Sequence, residues 1–427
     1  MTAEPSPAGV LVLVAAAGAP WEAGALERLE RRGSGIVLAR RCVDLTDLLA
    51  TAGAGLASVA VVSPTLPGLD TDSLTALRRS GVGVVLVAAP EELADGDAER
   101  LRRLGIEHLL STAELDSLAG TVLAAGGDGG HLPLEPTGPD LEPGTTTGTV
   151  VAVWGPTGAP GRTTVAVGVA TEIARAGHEV LLVDADGYGG AVAQHLGVLD
   201  EASGLLGAAR AANTGRLDGV RLAALARQVG DGLRVLTGLP RPDRWQEVRP
   251  VAFDDVLEEA VRLAPYVVLD LGFSLEVEAV DPFGTGTPQR NQMTLASLAR
   301  ADEVVVVGSA DPVGLGRLAR GLVELRDVVP AVRARVVVNR TRPSLGWSDR
   351  EIRGMVEGFV QPVGVHFLPD DRVAADRALM AGRSLADSGE SALRTALADL
   401  AAGVLGEPQT HTGTRRGVRR RRSGRAR

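Results

Sequence analysis

Between Thr157 and Thr164 the chain reads Thr-Gly-Ala-Pro-Gly-Arg-Thr-Thr. A short apolar run, Val150–Trp154, stands before it, and a clean helical pattern from Thr163 through Ala176 follows. Strand, small-residue loop and helix are the context that phosphate binding requires. Small residues let backbone N–H groups turn inward, and the helix N-terminus adds its dipole. Gly158, Ala159, Pro160, Gly161, Arg162, Thr163 and Thr164 are the candidate phosphate-binding residues. The Thr163 hydroxyl is placed to serve magnesium. Arg162 stands where such loops carry lysine, and a forked guanidinium is wider than a compact ammonium.

Three later strand ends add polar groups. Leu181-Leu-Val-Asp-Ala-Asp186 ends in two carboxylates that can orient a water and a magnesium shell. Tyr266-Val-Val-Leu-Asp270-Leu-Gly272 ends in another, on the magnesium side. Val336-Val-Val-Asn339-Arg340 ends in an amide, which can both donate to and accept from an adenine edge. Each feature alone has a plainer reading. A strand-end Asp can cap the next turn, and a strand-loop-helix can exist without nucleotide.

These groups need elements to hold them. Residues 149–405 alternate apolar runs at Val150–Trp154, Val180–Asp184, Leu233–Thr237, Val267–Asp270, Glu303–Gly308, Ala334–Asn339 and Gly364–Phe367 with helical patterns. Residues 1–125 do the same at Val10–Ala15, Gly35–Ala39, Ser58–Ser63, Val82–Ala88 and Glu107–Leu110. The pattern predicts two α/β domains, each a doubly wound parallel sheet. Residues 126–148, rich in Gly, Pro and Thr, read as a linker. Residues 406–427 read as a disordered, arginine-rich tail.

Composition agrees. Hydrophobic residues make up 45% of the chain and aromatics 3%, so the core must be Val, Leu and Ala. Cys42 is the one cysteine, which excludes an intrachain disulfide and fits a reducing compartment. The six histidines show no metal-ligand spacing, so no zinc site is expected. The apolar stretch Gly9–Ala19 has no basic residue before it, unlike a secretory signal. A cytoplasmic protein is therefore expected. No lysine occurs, and all 44 basic residues are arginine. The last thirteen residues, Arg415–Arg427, carry eight arginines on a chain of net charge −9, which suggests contact with an anionic membrane or DNA.

The order of motifs resembles the MinD/ParA family of deviant Walker-A ATPases over about residues 149–400. The residues that carry the likeness are the loop, Asp184-Ala-Asp186, Asp270 with Gly272, Asn339-Arg340 and Leu368-Pro369-Asp370-Asp371. The resemblance implies ATP and Mg2+ as cofactors. It assigns water activation to Asp186, magnesium to Thr163 and Asp270, and the adenine surround to Asn339, Pro369 and Asp370. It also implies a homodimer. The family carries a further lysine that reaches across the dimer, and Thr157 occupies that position here. Compositional bias can turn lysine into arginine at 162 but not into threonine at 157, which implies weak or absent hydrolysis.

Val61-Val62-Ser63-Pro64-Thr65-Leu66-Pro67-Gly68 resembles the third strand and following loop of a response-regulator receiver. Ser63 stands at the phosphoacceptor position. Ala15-Ala16-Ala17 replaces the acidic pair, and the switch and lysine positions fall near Ala88 and Ser111. Without carboxylates no phosphoryl transfer is expected. Such a degenerate receiver ahead of a MinD/ParA-like domain is similar to the CpaE/TadZ group of Tad (Flp) type IV pilus proteins, actinobacterial in style. That likeness implies an ATP-binding positioning or scaffold protein, partnered with a secretion or pilus ATPase at the inner membrane or cell pole. The alternatives are an active ATPase of chromosome partitioning or division-site selection, and a regulator that holds nucleotide structurally.

Overall fold

The computed structural model describes residues 9–31, 33–93, 97–127, 148–198, 202–277 and 288–406. Most of the expected linker and nearly all of the arginine-rich tail lie outside the described residues.

The first domain is a five-stranded parallel sheet. Its strands are β1 (Val10–Ala15), β2 (Ile36–Arg41), β3 (Val59–Val62), β4 (Gly83–Ala88) and β5 (His108–Ser111), in the order β2-β1-β3-β4-β5. That is the flavodoxin-like order. Alternate residues of the apolar strands enter opposite cores, as expected of a sheet covered on both faces. Leu13, Leu48, Leu74 and Leu86 share one core, and Val12, Val14, Val61 and Leu118 share the other. The edge strand β2 is mostly exposed and ends in Arg40 and Arg41. Charge on an edge discourages pairing with other chains.

The second domain has eight strands: β6 (Thr149–Trp154), β7 (Val180–Ala185), β8 (Arg227–Gly230), β9 (Leu233–Leu236), β10 (Tyr266–Leu271), β11 (Glu303–Ser309), β12 (Ala334–Thr341) and β13 (Gly364–Pro369). Their order is β13-β12-β11-β6-β10-β7-β9-β8. All neighbours are parallel except β8 and β9. The wholly parallel sheet expected from the sequence thus gains one antiparallel edge strand. β8 is four residues long, largely exposed and not apolar, so it leaves no hydrophobic signature.

The helix Arg162–Arg175 buries Val165, Ala166, Val169, Ala170 and Ile173. It packs on the helix Ala392–Val404, where Leu397 lies so close that a Cβ on Gly168 would stand 2.7 Å from its Cδ1. The helix that follows the phosphate loop is therefore clamped between sheet and C-terminal helix. Among the described residues, no helix is long and apolar enough to cross a membrane.

The domains touch. The helix Thr71–Arg79 of the first packs on the helices Gly204–Asn213 and Pro250–Leu263 of the second. Arg249 bridges the gap, 2.9 Å from Asp70 and 3.3 Å from Asp72.

Candidate functional site

β6 ends at Trp154 and the chain turns at once. A methyl group on Gly155 would overlap the Val307 carbonyl of β11. Gly158 and Gly161 have φ of +70° and +91°, where side chains with a Cβ are strained. The turn delivers the chain into the helix Arg162–Arg175, whose first N–H groups have no intrahelical acceptor. Thr157 and Gly158 are exposed, while Gly161–Thr164 are half-buried. The sequence-predicted loop is thus a turn with two left-handed glycines that ends on a helix N-terminus.

Register sets the carboxylates beside it. Asp270 of β10 pairs with Val153 of β6 on one side and with Asp184 of β7 on the other. Asp184 and Asp270 are both buried. Asp184 accepts from the N–H of Asp186 at 3.3 Å and of Val192 at 3.1 Å. A Cβ on Gly190 or Gly238 would run into its carboxyl group, so the two glycines form its cradle. Asp184 therefore orders the loop that carries Asp186. Asp186 accepts from the Tyr188 N–H at 2.8 Å and rests over Gly272, where a Cβ would stand 3.0 Å from its Oδ1.

Burial, with a smaller push from the nearby Asp186 charge, raises the Asp184 carboxyl to about 7 against the pull of its two N–H donors. Burial also holds Asp270 well above the usual carboxylate range, with the Asp184 charge adding to it. The Thr163 hydroxyl and the Arg162 guanidinium pull the other way. Neither Asp270 oxygen makes a well-formed hydrogen bond. A buried carboxylate without partners is costly and suits a cation. Among the described residues no group of three or more His, Cys, Asp or Glu side chains could hold a metal ion. Magnesium beside phosphates needs fewer: one or two protein ligands, with phosphate oxygens and water completing the shell. Thr163 and Asp270 fit that requirement.

Arg162 lies inward. Its Nε donates to the Leu271 carbonyl at 3.2 Å and its Nη1 to the Ala159 carbonyl at 3.4 Å. Its Nη2 stands 3.8 Å from Asp186 Oδ2. The guanidinium is tied to the loop's own backbone and to the end of β10.

The adenine candidates sit at the ends of neighbouring strands, Asn339 on β12 and Pro369 on β13. The Asn339 amide donates to the Pro160 carbonyl at 2.9 Å and its oxygen accepts from the Arg340 N–H at 2.8 Å. Asn339 thus braces the phosphate loop from the side. Asp370 is flanked by Arg342 at 3.7 Å and Arg372 at 3.3 Å. Thr164 lines a small cavity of about 70 Å³ with His195 and Asp376.

Sequence reasoning missed Arg317, on the helix Pro312–Val328. A Cβ on Gly158 would stand 3.0 Å from its Cζ. Arg317 is one arginine among 44 and carries no motif of its own. It also missed Gly190 and Gly238, although the Gly189-Gly190 pair just after the carboxylates was a visible signal.

In the first domain, Ser63 is buried at the C-terminal end of β3 and shares a 2.7 Å hydrogen bond with Thr65. Ala88 and Ser111 are paired at the ends of β4 and β5. The receiver-like positions therefore gather at one sheet edge, with no carboxylate among them.

No protein-family model matches the chain, and no curated protein matches it. Among solved structures it is similar to a ParA family ATPase from Chlorobium tepidum, at 19% identity and a TM-score of 0.48, over 59% of this chain and 98% of that one. It is similar to the Pyrococcus furiosus cell division ATPase MinD at 17% identity and a TM-score of 0.49, over 61% and 99% of the two chains. The septum site-determining protein MinD of Pyrococcus horikoshii, solved with Mg-ADP, gives 17% identity and a TM-score of 0.48, over 60% and 95%.

Proposed function

We propose that the second domain binds magnesium-ATP in the manner of the MinD/ParA family and turns it over slowly. The observation that carries this is the left-handed glycine loop set against Asp270, a buried carboxylate whose two oxygens lack hydrogen-bond partners. The backbone N–H groups of Gly158–Thr163 would hold the phosphates. Thr163 and Asp270 would hold magnesium, which when bound screens the charge on the phosphate oxygens. Asp186, fixed by the Tyr188 N–H, would orient the attacking water. Pro369 and Asp370, with Asn339, would border the base.

Slow turnover follows from two residues. Arg162 spends two of its donors on the Leu271 and Ala159 carbonyls. Thr157 is too short to reach a partner's nucleotide. A displacement of about 1 Å can cost roughly a hundredfold in rate. On this reading the chain is an ATP-binding positioning or scaffold protein of Tad (Flp) pilus or secretion machinery. Its degenerate receiver serves as a docking module, its partner is the secretion ATPase, and its dimer forms without needing ATP.

Calorimetry and phosphate release on one preparation test the reading. Magnesium-ATP should bind, with little phosphate released. Arg162→Lys should raise the rate only modestly, because Thr157 still cannot reach across to a partner's nucleotide. No detectable binding would remove the proposal. Brisk turnover abolished by Asp186→Ala would promote the working partition or division ATPase in its place.

A further inference from the structure

The helix Pro312–Val328 follows β11 and is set by its own sequence. Asp311 caps its first turn, accepting from the N–H groups of Val313 and Gly314. Leu315, Leu318, Leu322 and Leu325 are buried on the sheet side. That leaves Arg317, Gly321 and Glu324 along a second face, at the spacing of successive turns. This face runs beside the first limb of the phosphate loop. A Cβ on Gly321 would stand 2.9 Å from the Pro156 Cβ and 3.1 Å from the Trp154 Cη2. One turn earlier, the Arg317 guanidinium lies directly against Gly158. The close seat of Gly321 on Pro156 thus fixes where Arg317 can be.

Arg317 is half-buried, and among the described residues it has no hydrogen-bond or ion-pair partner. It lines a cleft of about 490 Å³ with Thr157, Glu276, Arg320, Glu324 and Asp327. None of those acids comes within ion-pairing distance of it. Elsewhere among the described residues, the buried Arg335 holds Glu303 and the half-buried Arg394 holds Glu172. A guanidinium held over a phosphate loop without an anion is an exception that a phosphate would complete.

We infer that Arg317 supplies, from within the same chain, the cation that position 157 lacks, and that it selects a nucleoside triphosphate over a diphosphate. The inference rests on the nucleotide-binding reading above. Arg162, the first residue of its helix, is tied to the Ala159 carbonyl and to β10, while Arg317 reaches Gly158 from the helix Pro312–Val328. The two arginines therefore approach the loop from different elements. A terminal phosphate seated beside Gly158, within reach of the Arg317 guanidinium, gains a charge-assisted contact that a diphosphate, one group shorter, does not reach. Supplied in this way, the cation needs no second subunit.

Calorimetry on the full chain should measure magnesium-AMPPNP and magnesium-ADP binding for the native protein, Arg317→Ala and Arg317→Lys. Thermal unfolding of each variant checks that it is folded. The expected result is roughly a tenfold or greater loss of AMPPNP affinity in Arg317→Ala, with ADP changed by less than about threefold. Arg317→Lys should recover part of the preference. If the native protein binds both nucleotides and Arg317→Ala weakens them equally, or neither, the role of Arg317 is overturned while nucleotide binding stands. If the native protein binds neither, both fall together.

Discussion

At the scale of single residues, the site is built on a tension between burial and charge. Asp270 is buried between two strands, and neither of its oxygens makes a well-formed hydrogen bond. Its carboxyl is held well above the ordinary range because burial penalises the ionised form. The sign follows directly. A carboxyl raised in the folded state binds its proton more tightly there than in the unfolded chain. Its favourable contribution is full at acid pH, below the unfolded value, and is lost as pH rises through the folded one. Without magnesium, the native protein should therefore lose stability on going from pH 5 to pH 8 relative to Asp270→Asn, which has no charge to bury. Thermal unfolding in chelator at both pH values would show the gap widening, and parallel behaviour of the two proteins would refute it. The same variant should lose any added stability conferred by magnesium with ATP.

At the scale of elements, the sheet is tied to the last helix by a buried polar network far from the loop. Glu303 opens β11, Arg335 is the second residue of β12 and His366 the third of β13. Arg335 is paired with Glu303, stands 3.2 Å from His366 Nε2 and donates to the Gly403 carbonyl at 2.8 Å. Gly364 and Gly403 leave the room it needs, since a Cβ on either would stand under 3 Å from its Nη1. Arg335→Ala should cost about 3–5 kcal/mol, because Glu303 is left buried and alone; denaturant titration measures it. His366 carries a pH dependence of its own. Burial, then the Arg335 and Arg353 charges, lower its pKa from 6.5 to about 4. A base depressed in the folded state stabilises above its unfolded value, and that stability is lost as pH falls toward 4. Between pH 7 and pH 5 the native protein should lose about 2 kcal/mol that His366→Gln does not lose. Equal losses in both would show that His366 is not the group responsible.

At the scale of the molecule, the two domains meet through charge pairing and close packing among the described residues. Arg249 leads into the helix Pro250–Leu263 and reaches Asp70 and Asp72 at the start of the helix Thr71–Arg79. Burial raises Asp72 above its usual range, and Arg249 opposes that rise. The side chain of Arg249 is 41% exposed, so solvent screens the pair and each contact is worth only about 1 kcal/mol or less. Close packing does the rest: a Cβ on Gly215 would stand 2.8 Å from the Arg100 carbonyl and 2.9 Å from Leu104. Arg249→Glu should place three carboxylates together and part the domains at low salt. Small-angle scattering would then report a larger radius of gyration, partly restored by added salt. An unchanged radius would mean that packing alone holds the interface. Among the described residues the interface also includes the segment around Arg100 and Arg103, which meets Thr214, Gly215 and Asp218.

Most of the strands were legible in the sequence. Val10–Ala15 is a strand at the predicted residues, and the other predicted runs shift by one or two positions at their ends. The reason is local: β-branched runs buried on both faces write an unbroken apolar signal, whatever lies beside them. The loop was legible for the same reason, since left-handed turns demand glycine at Gly158 and Gly161 wherever they occur. β8 was hidden because a four-residue exposed edge strand needs no apolar face. What the tertiary structure alone decided is adjacency. Strand order put Asp270 between Asp184 and the loop, and it turned the Asn339 amide onto Pro160. A helix from beyond β11 laid Arg317 on Gly158, about 160 residues away in sequence. No spacing rule connects those residues, because the crossovers that bring them together are set by how the helices pack on the sheet. The residue types able to meet a nucleotide were thus written in the chain, and the cations and anions that would share it were chosen by the fold.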